Sequence, residues 1–251
     1  MPSSPRRSCA WPMPGGGVGR GGGARGGPQG LRGGRPGLHR FRGHELPADR
    51  GRAGAVHGGE ERALNEPEAP GGSPEIETDR LVLRPLATGD LDAVHRLWTD
   101  PGVRRYLWDG EEIPREKARN MLVRSAESFG EHGFGLWAVT EKGPGALIGF
   151  CGFWPSGEDG RGGELLYGIT TPRWGEGLAT EVAEAMVRHG FEDLGLDRIV
   201  AGADTENAAS LRVMEKAGMI HDGRDLRNGK DLTYYALSRE AFRRSLSDAP
   251  G

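Results

Sequence analysis

A turn with two glycines joins a strand pattern to a helix pattern in the second half of the chain. The strand is predicted over 164–169, Gly175 and Gly177 lie in the turn, and a helix is predicted from about Gly177 onwards. Apolar residues then recur at helical spacing, in the stripes Leu178/Val182/Met186 and Ala179/Ala183/Val187/Phe191. A helix with one apolar face that directly follows a strand has to pack back onto the sheet, so this feature predicts an α/β architecture.

The same turn has the chemistry of an anion site. The first N–H groups of a helix have no intrahelical partner, and the helix dipole adds partial positive charge there. Glycine at 175 and 177 lets a ligand come close to the backbone. These features predict a phosphate site, although a merely tight connection between strand and helix would give the same pattern.

The other patterns extend this architecture over residues 75–246. A short strand is predicted from Leu81 to Pro85, and further strands at 134–140, 146–154, 197–203, 219–226 and 232–237. Helices are predicted from Thr88, from Pro114, before Gly218 and at the end of the chain. Their expected inward positions are Leu91, Val94, Leu97, Trp98, Ala118, Met121, Leu122, Ala126, Leu211 and Met214. The order predicts a mixed α/β fold with helices on one central sheet.

Residues 1–74 have a different composition. They hold 20 of the 44 glycines and 11 of the 33 basic residues, but only 7 residues from the set Val, Ile, Leu and Phe. So few apolar side chains cannot bury enough surface to order a chain. We therefore predict a disordered tail over 1–74, followed by one folded domain over 75–246.

Two interpretations of the tail remain open. Arg-Gly-Gly triplets begin at Arg20, Arg25 and Arg32, and such repeats are typical of segments that follow a nucleic-acid backbone. Only Trp11 and Phe41 could stack on bases, which makes nucleic acid an unlikely partner. Gly, Arg, Pro and Ala are also what GC-rich codons encode, so the tail could be upstream sequence read through from a wrongly assigned start.

Several other classes of protein are excluded by what the sequence lacks. It has no run of about 18 apolar residues for a membrane helix, and Pro12 and Pro14 interrupt the region where a signal peptide would be apolar. Cys9 and Cys151 are the only cysteines, and the histidines have no metal-ligand spacing. We predict a cytoplasmic, metal-free protein without a membrane segment, a monomer or a homodimer.

Four motifs, spread over residues 76–240, carry a family resemblance. They are Glu77-Thr-Asp-Arg-Leu-Val-Leu-Arg-Pro85, Glu164-Leu-Leu-Tyr167, Trp174-Gly-Glu-Gly-Leu-Ala-Thr-Glu181 and Thr205-Glu-Asn-Ala-Ala-Ser-Leu-Arg-Val-Met-Glu-Lys-Ala-Gly-Met219. Together they resemble the GCN5-related N-acetyltransferase (GNAT) superfamily, and more narrowly its RimJ/RimL-like branch of ribosomal-protein N-acetyltransferases. The resemblance implies the GNAT fold, a central, mostly antiparallel twisted sheet flanked by helices.

The resemblance also implies acetyl-CoA as the acyl donor. Its pyrophosphate is expected on the glycine turn, and its pantetheine arm along the end of the preceding strand. The wider family has Gln or Arg three residues before the second glycine, where this chain has Trp174, with Arg173 one position earlier. The residues expected to bind acetyl-CoA are Ile169, Thr170, Thr171, Trp174, Gly175, Glu176, Gly177, Leu178, Ala179, Thr180 and Asn207.

Two further residues are expected to take part in the chemistry. Acetylation of an amine requires loss of a proton from its ammonium form, and a carboxylate is a natural base for this step. Glu164 is the candidate base, although a carboxylate at a strand edge could equally form a salt bridge. Ser210 lies one turn after Asn207 and is the candidate donor to the departing thiolate. A helix cap for Asn207 and a solvated helix surface for Ser210 are the alternatives.

The acceptor side is less well defined by the sequence. Tyr106 and Trp108 lie where the family builds its acceptor wall, so they are candidate substrate contacts. Asp231 and Tyr235, in the last predicted strand, are the next candidates for the base if Glu164 is not. His189 is expected at the surface of the helix that follows the glycine turn.

Three functional hypotheses follow. The first is a cytoplasmic acetyl-CoA-dependent N-acetyltransferase that transfers the acetyl group to a primary amine by direct attack in a ternary complex. Residues 75–251 carry 30 acidic and 22 basic side chains, which favours a cationic acceptor, either a protein N-terminus or a small amine. The alternatives are a non-catalytic acyl-CoA-binding module and an RNA-associated protein that acts through its tail.

Overall fold

A computed structural model describes residues 75–143, 145–157, 161–227 and 229–248. The predicted tail, 1–74, lies outside these described residues. The strands are β1 (Ile76–Glu77), β2 (Leu81–Pro85), β3 (Leu136–Glu141), β4 (Leu147–Ser156), β5 (Gly162–Ile169), β6 (Arg198–Asp204), β7 (Ile220–Arg227) and β8 (Lys230–Ser238). The helices are α1 (Leu91–Thr99), α2 (Pro101–Arg104), α3 (Arg115–His132), α4 (Leu178–Glu192), α5 (Ala208–Lys216) and α6 (Arg239–Ser247).

All eight strands form one sheet in the order β1-β2-β3-β4-β5-β6-β8-β7. Neighbouring strands are antiparallel, with the exception of the parallel pair β5 and β6. This confirms the predicted mixed α/β fold, a mostly antiparallel sheet flanked by helices. The parallel pair is where the topology departs from a simple meander, because α4 carries the chain from β5 to β6.

Helices cover the sheet on both faces, and each face has its own apolar cluster. One cluster includes Val182 and Met186 of α4 and Met214 of α5. The other includes Val94 and Trp98 of α1, and also side chains of α3. We call these the α4–α5 face and the α1–α3 face of the sheet. Because successive side chains of a strand point to opposite faces, each position in β5 belongs to one face or the other.

Most predicted elements are confirmed, and the differences have local causes. Leu91, Val94, Leu97 and Trp98 are all buried, and Gly218 has the left-handed φ of 79° expected at a helix end. The sequence pattern missed β1 and α2, which have two and four residues and are too short for a periodic signal.

His189 is buried, so its predicted place at the surface was wrong. Its ring packs edge-on against Trp137, with 5.6 Å between centroids, and its Nδ1 lies 2.8 Å from a carboxylate oxygen of Asp193. The adjacent Gly190 lies so close to the sheet that a Cβ atom there would come within 2.8 Å of Ile199. The close approach of α4 therefore encloses a side chain that its polarity alone would place outside.

Candidate active site

The sheet opens between its two parallel strands. The pairing of β5 with β6 covers only Gly162–Glu164 and Arg198–Val200. Beyond Glu164 and Val200 the strands diverge, and each leads into a helix at the same edge of the sheet: β5 into α4, and β6 into α5. The described residues thus form a gap with two helix N-termini at its mouth.

The backbone at the end of β5 faces this gap. Ile169 is paired with Gly149 of β4, and the N–H of the next residue, Thr170, donates to Ile148 O at 2.8 Å. In an antiparallel pair with this pattern, the N–H and C=O of Ile169 point away from β4. The Trp174 indole N–H donates to the Ile169 carbonyl at 2.6 Å, so the turn returns to the strand end. Ile169 therefore presents its N–H where the resemblance places the pantetheine arm, while its carbonyl accepts from Trp174.

The glycine turn leaves the start of α4 open. Thr171–Arg173 form a short 3-10 turn, and Gly175 and Gly177 have φ values of 82° and 79°. Gly177 occupies the N-cap position, and no side chain caps the helix there. The N–H groups of the first turn, contributed by residues 178–180, have no intrahelical acceptor. This arrangement fits the pyrophosphate of acetyl-CoA, because free N–H groups and the helix dipole both favour an anion.

Ion pairs hold the outer side of the turn. Arg173 donates to both carboxylate oxygens of Glu141 at 2.8 Å, and to Glu176 at 2.8–3.1 Å. These bonds lower the pKa of Glu176 and raise the pKa of Arg173. Because Arg173 is shared between two carboxylates, its guanidinium supports the turn rather than offering an unpaired charge to a ligand.

A second arginine, which the sequence analysis did not select, clamps the first turn of α4. Arg80 donates to the Glu181 carboxylate from its Nε at 2.6 Å and from its backbone N at 2.9 Å, and to Glu176 O at 2.9 Å. Thr78 Oγ1 donates to Glu181 at 2.5 Å. Burial raises the pKa of Glu181, but these hydrogen bonds outweigh burial and lower it overall. Two of the quoted sequence motifs thus contact each other in the fold. The occurrence of these motifs was the only signal in the sequence for this contact.

Glu164 occupies the last position of β5 that is paired with β6. It lies opposite Trp154 on β4 and Val200 on β6, and it is half-buried. Trp154 and Leu166, which share its side of the sheet, pack against the cluster of the α1–α3 face. The candidate base therefore lies at the inner end of the gap, on the α1–α3 face.

Ser210 and Asn207 lie on the opposite face, at the start of α5. Asn207 is the N-cap residue, and its Oδ1 accepts a hydrogen bond from Ser210 N at 3.2 Å. Tyr167 of β5 reaches this turn, with its hydroxyl 2.8 Å from Ser210 Oγ. The helix cap that was one interpretation of Asn207 is thus present, and it leaves the side-chain NH₂ group of Asn207 able to donate elsewhere.

Trp108, one of the two candidate acceptor contacts, packs against the cluster of the α1–α3 face. Trp108 packs edge-on against Trp98 with 5.6 Å between ring centroids, and Lys117 Nζ lies 5.0 Å from its ring. Its backbone has the unusual φ of 56°, and its indole nitrogen is shielded from solvent without a hydrogen-bond partner among the described residues. The guanidinium of Arg105 lies over Tyr106 at 5.2 Å. Trp108 is thus on the side of the sheet where Glu164 lies.

The two fallback candidates for the base have other partners. Asp231 forms an ion pair with Arg224. Tyr235 is buried on the α4–α5 face, where its hydroxyl donates to Glu215 at 2.7 Å, and this hydrogen bond raises its pKa. Neither residue lies on the same side of the sheet as Trp108.

A contact between the acceptor side and the turn also escaped the sequence analysis. Asp100 caps α2 by accepting from the N–H groups of Gly102 and Val103 at 2.9 and 3.2 Å. Its other oxygen accepts from Thr171 Oγ1 at 3.2 Å. Gly102 lies so close to the turn that a Cβ atom there would be 2.4 Å from the Thr171 methyl group. The connection between α1 and α2 therefore packs directly against the glycine turn.

The described part of the chain has neither a membrane-spanning helix nor a metal-ligand cluster. No helix in this part of the chain is long and apolar enough to cross a membrane. Likewise, none of its His, Cys, Asp and Glu side chains form a group of three or more that could hold a metal ion.

Comparisons with known proteins agree with this geometry. The family described as "Acetyltransferase (GNAT) domain" matches residues 80–220. YoaA of Bacillus subtilis (strain 168), named an uncharacterized N-acetyltransferase, is 35% identical over 152 residues, which are 60% of this chain and 85% of YoaA. A solved GNAT-family acetyltransferase from Bacillus anthracis is 28% identical with a TM-score of 0.58, and the match covers 66% of this chain and 99% of the other.

A third likeness concerns the fold alone. RimL, solved as the ribosomal L7/L12 alpha-N-protein acetyltransferase in complex with coenzyme A, has a TM-score of 0.58 at 18% identity, and the match covers 67% of this chain and 99% of RimL. The family match includes the glycine turn, the gap between β5 and β6, and α5, which together form the candidate site described above. The chain belongs to the GNAT family of acetyltransferases, and it is an N-acetyltransferase that uses acetyl-CoA as its acyl donor.

Proposed function

We propose that this protein acetylates the primary amine of a protein N-terminus or of a small cationic molecule, by direct attack within a ternary complex. One observation carries the proposal: Glu164 and Ser210 lie on opposite faces of the sheet at the same gap. An acceptor that enters from the α1–α3 face meets the carboxylate, and a thiol that departs on the α4–α5 face meets the hydroxyl.

The proposed roles follow from the chemistry of the two groups. The α-amine of a protein N-terminus, with a pKa near 8, and an alkylamine, with a pKa near 10, are both mostly protonated at neutral pH, and either must lose a proton before it can attack. Glu164 takes this proton, directly or through a water molecule. Bound acetyl-CoA supplies the thioester, and the hydroxyl of Ser210 donates a hydrogen bond to the sulfur as it departs. Residues 175–180 hold the pyrophosphate, while Ile169 and Asn207 contact the arm.

Charge and likeness support the acceptor class. The acidic side chains of residues 75–251 outnumber the basic ones by eight, and a negative field favours a cationic amine. RimL, whose fold this chain shares, is an acetyltransferase of a ribosomal-protein N-terminus, and this likeness in fold supports both a protein N-terminus as acceptor and the RimJ/RimL-like branch. Tyr106 and Trp108 are proposed as acceptor contacts, because Trp108 packs on the face on which Glu164 lies and Tyr106 is two residues before it.

The test is a screen followed by one substitution. Acetyl-CoA consumption would be measured with N-terminal peptides, polyamines and aminoglycosides as acceptors. With any acceptor found, Glu164→Gln should lower kcat about 100-fold or more, and higher pH should restore part of the rate because the amine then loses its proton unaided. Glu184→Gln, at an exposed position of α4, is the matched control and should leave kcat unchanged.

Two outcomes would contradict the proposal. A Glu164→Gln enzyme with normal turnover at pH 7 would remove the base assignment. A protein that binds acetyl-CoA but consumes none with any of the three acceptor classes would favour the alternative of a non-catalytic acyl-CoA-binding module.

The boundary between tail and domain is also a proposal. The family match begins at residue 80, which supports a catalytic unit over 75–246. Deletion of residues 1–74 should then leave both the melting temperature and kcat unchanged. A large fall in either would show that the tail contributes to the fold or the site. A cytoplasmic location and a monomeric or homodimeric state remain predictions.

A further inference from the structure

The hydroxyl of Tyr167 contacts Ser210 at two atoms. It lies 2.8 Å from Ser210 Oγ, where either hydroxyl could be the donor, and 3.1 Å from the Ser210 carbonyl oxygen, to which it can only donate. Tyr167 belongs to β5, in the stretch that follows the last pair with β6, and Ser210 lies in the first turn of α5. The contact therefore bridges the mouth of the gap.

The single proton of Tyr167 allows two arrangements. If Tyr167 donates to the Ser210 carbonyl, then Ser210 donates to Tyr167, and the serine proton is not available to a ligand. If Tyr167 donates to Ser210 Oγ instead, the serine proton is released for another acceptor. Rotation of both O–H bonds, that of Tyr167 and that of Ser210, converts the first arrangement into the second without movement of heavy atoms.

The surroundings keep Tyr167 in place as a neutral donor. Its ring packs against the apolar cluster of the α4–α5 face, and burial raises the pKa of its hydroxyl to about 12. The phenol thus stays protonated at any pH at which acetyl transfer would be assayed. Ser210 is held from its other side by the bond between its N–H and Asn207.

We propose that Tyr167 is a positioning residue that turns the hydroxyl of Ser210 toward the sulfur of acetyl-CoA. This inference rests on the proposed role of Ser210. In the reaction Glu164 takes one proton from the ammonium, the amine nitrogen forms a bond to the acetyl carbon, and the carbon–sulfur bond breaks with its electron pair on sulfur. The second proton that the nitrogen loses as the amide forms passes to solvent. Tyr167 transfers no proton in this step; its hydrogen bond to Ser210 Oγ frees the serine proton to stabilise the thiolate.

The test uses coenzyme A itself, so it does not depend on knowing the acceptor. The pKa of the enzyme-bound thiol is read from the ultraviolet absorbance of its thiolate during a pH titration. A donated hydrogen bond favours the thiolate, so the wild-type protein should lower this pKa below the solution value, near 8.5. Tyr167→Phe and Ser210→Ala should each raise it by about half a unit to one unit, and the double variant should raise it no further.

A matched control and a kinetic measurement complete the design. Tyr234→Phe removes a hydroxyl from β8, where the ring packs against Gly202, and it should leave the thiol pKa unchanged. With an identified acceptor, Tyr167→Phe and Ser210→Ala should each lower kcat about fivefold, with the KM for acetyl-CoA unchanged and no further loss in the double variant.

The outcomes separate this inference from the proposed function. The positioning role of Tyr167 would be overturned if the thiol pKa shifted with Ser210→Ala but not with Tyr167→Phe, or if the two shifts added in the double variant. The role of Ser210 would stand in both cases. No shift with either variant would remove Ser210 as well, while the Glu164 experiment would stand. Should Tyr167→Phe fold poorly, fluorotyrosine at all four tyrosines supplies a stronger donor and should lower the bound thiol pKa further; an unchanged pKa would overturn the inference.

Discussion

The helices α4 and α5 begin at the same edge of the sheet, after two neighbouring parallel strands, yet their first turns are built differently. The N-cap of α4 is Gly177, with a φ of 79° and no side-chain cap. The N-cap of α5 is Asn207, whose side chain accepts from Ser210 N at 3.2 Å. The first helix leaves its N–H groups to a ligand, whereas the second uses one of them internally.

The difference separates two tasks of one site. An open helix start binds an anion through the backbone, and this requires no side chain of special chemistry. A capped start has its side chains locked in direction, which suits Asn207 and Ser210 if they contact the arm and the sulfur. The open start is stabilised from outside instead, by Arg80 through Glu181 and by Arg173 through Glu176.

The largest expected effect comes from closing the open start. Gly177→Val places a branched side chain at a left-handed φ, which costs about 1–2 kcal/mol and disfavours the turn that exposes the N–H groups. Acetyl-CoA affinity, measured by calorimetry, should fall about 100-fold or more. The control is Gly218→Val, at the same φ of 79° after α5, with no atom within 4 Å of its Cβ position. Equal losses of affinity in the two variants would refute the binding of the pyrophosphate by the backbone N–H groups at the start of α4.

Removing the cap of α5 should have a smaller effect. Asn207→Ala loses the bond to Ser210 N, so the free energy of unfolding should fall by about 1 kcal/mol. Acetyl-CoA affinity should also fall, by about fivefold, since the amide contact with the arm is lost. Ser238→Ala removes the equivalent cap of α6, where Ser238 Oγ accepts from Ala241 N at 3.2 Å. Ser238→Ala should lower the free energy of unfolding by a similar amount without changing acetyl-CoA affinity. A loss of affinity equal to that of Asn207→Ala would contradict the role of Asn207.

The external clamp on α4 should be sensitive to acid. The folded-state pKa of Glu181 is lowered, so its carboxylate stabilises the fold above the unfolded value of about 4.3 and ceases to do so as the pH falls through the folded pKa. Glu181→Gln should lower the free energy of unfolding by about 1 kcal/mol at pH 7. In thermal melts, the difference in stability between this variant and the wild type should become smaller toward pH 3. A difference that is independent of pH would argue against the stabilising role of the contact between Arg80 and Glu181.

The smallest effect is expected at Glu176. Its carboxylate is exposed and shares Arg173 with Glu141, so the turn keeps an ion pair when Glu176 is lost. Glu176→Ala should change acetyl-CoA affinity by no more than about twofold in calorimetry. If it weakened binding as much as Gly177→Val, side-chain charge rather than backbone access would govern the site.

Patterns of neighbouring residues predicted much of the fold. The alternation from Leu81, the stripes of α4 and the left-handed Gly218 are all local signals, and each is present in the structure. The open start of α4 was also predictable, because two glycines before an amphipathic stripe exclude a side-chain cap. His189 was misplaced because polarity was the only local signal, and the approach of α4 to Trp137 is not encoded nearby.

Sequence alone determined the order of the longer strands and helices along the chain, the glycine turn and, through its four motifs, the family. Tertiary structure decided which side chains meet: Arg80 with Glu181, Asp100 with Thr171, and Tyr167 with Ser210. These partners are separated by between 43 and 101 positions along the chain. The physical reason is that periodicity and turn chemistry act over a few residues, whereas a hydrogen bond between distant residues depends on how sheet and helices pack.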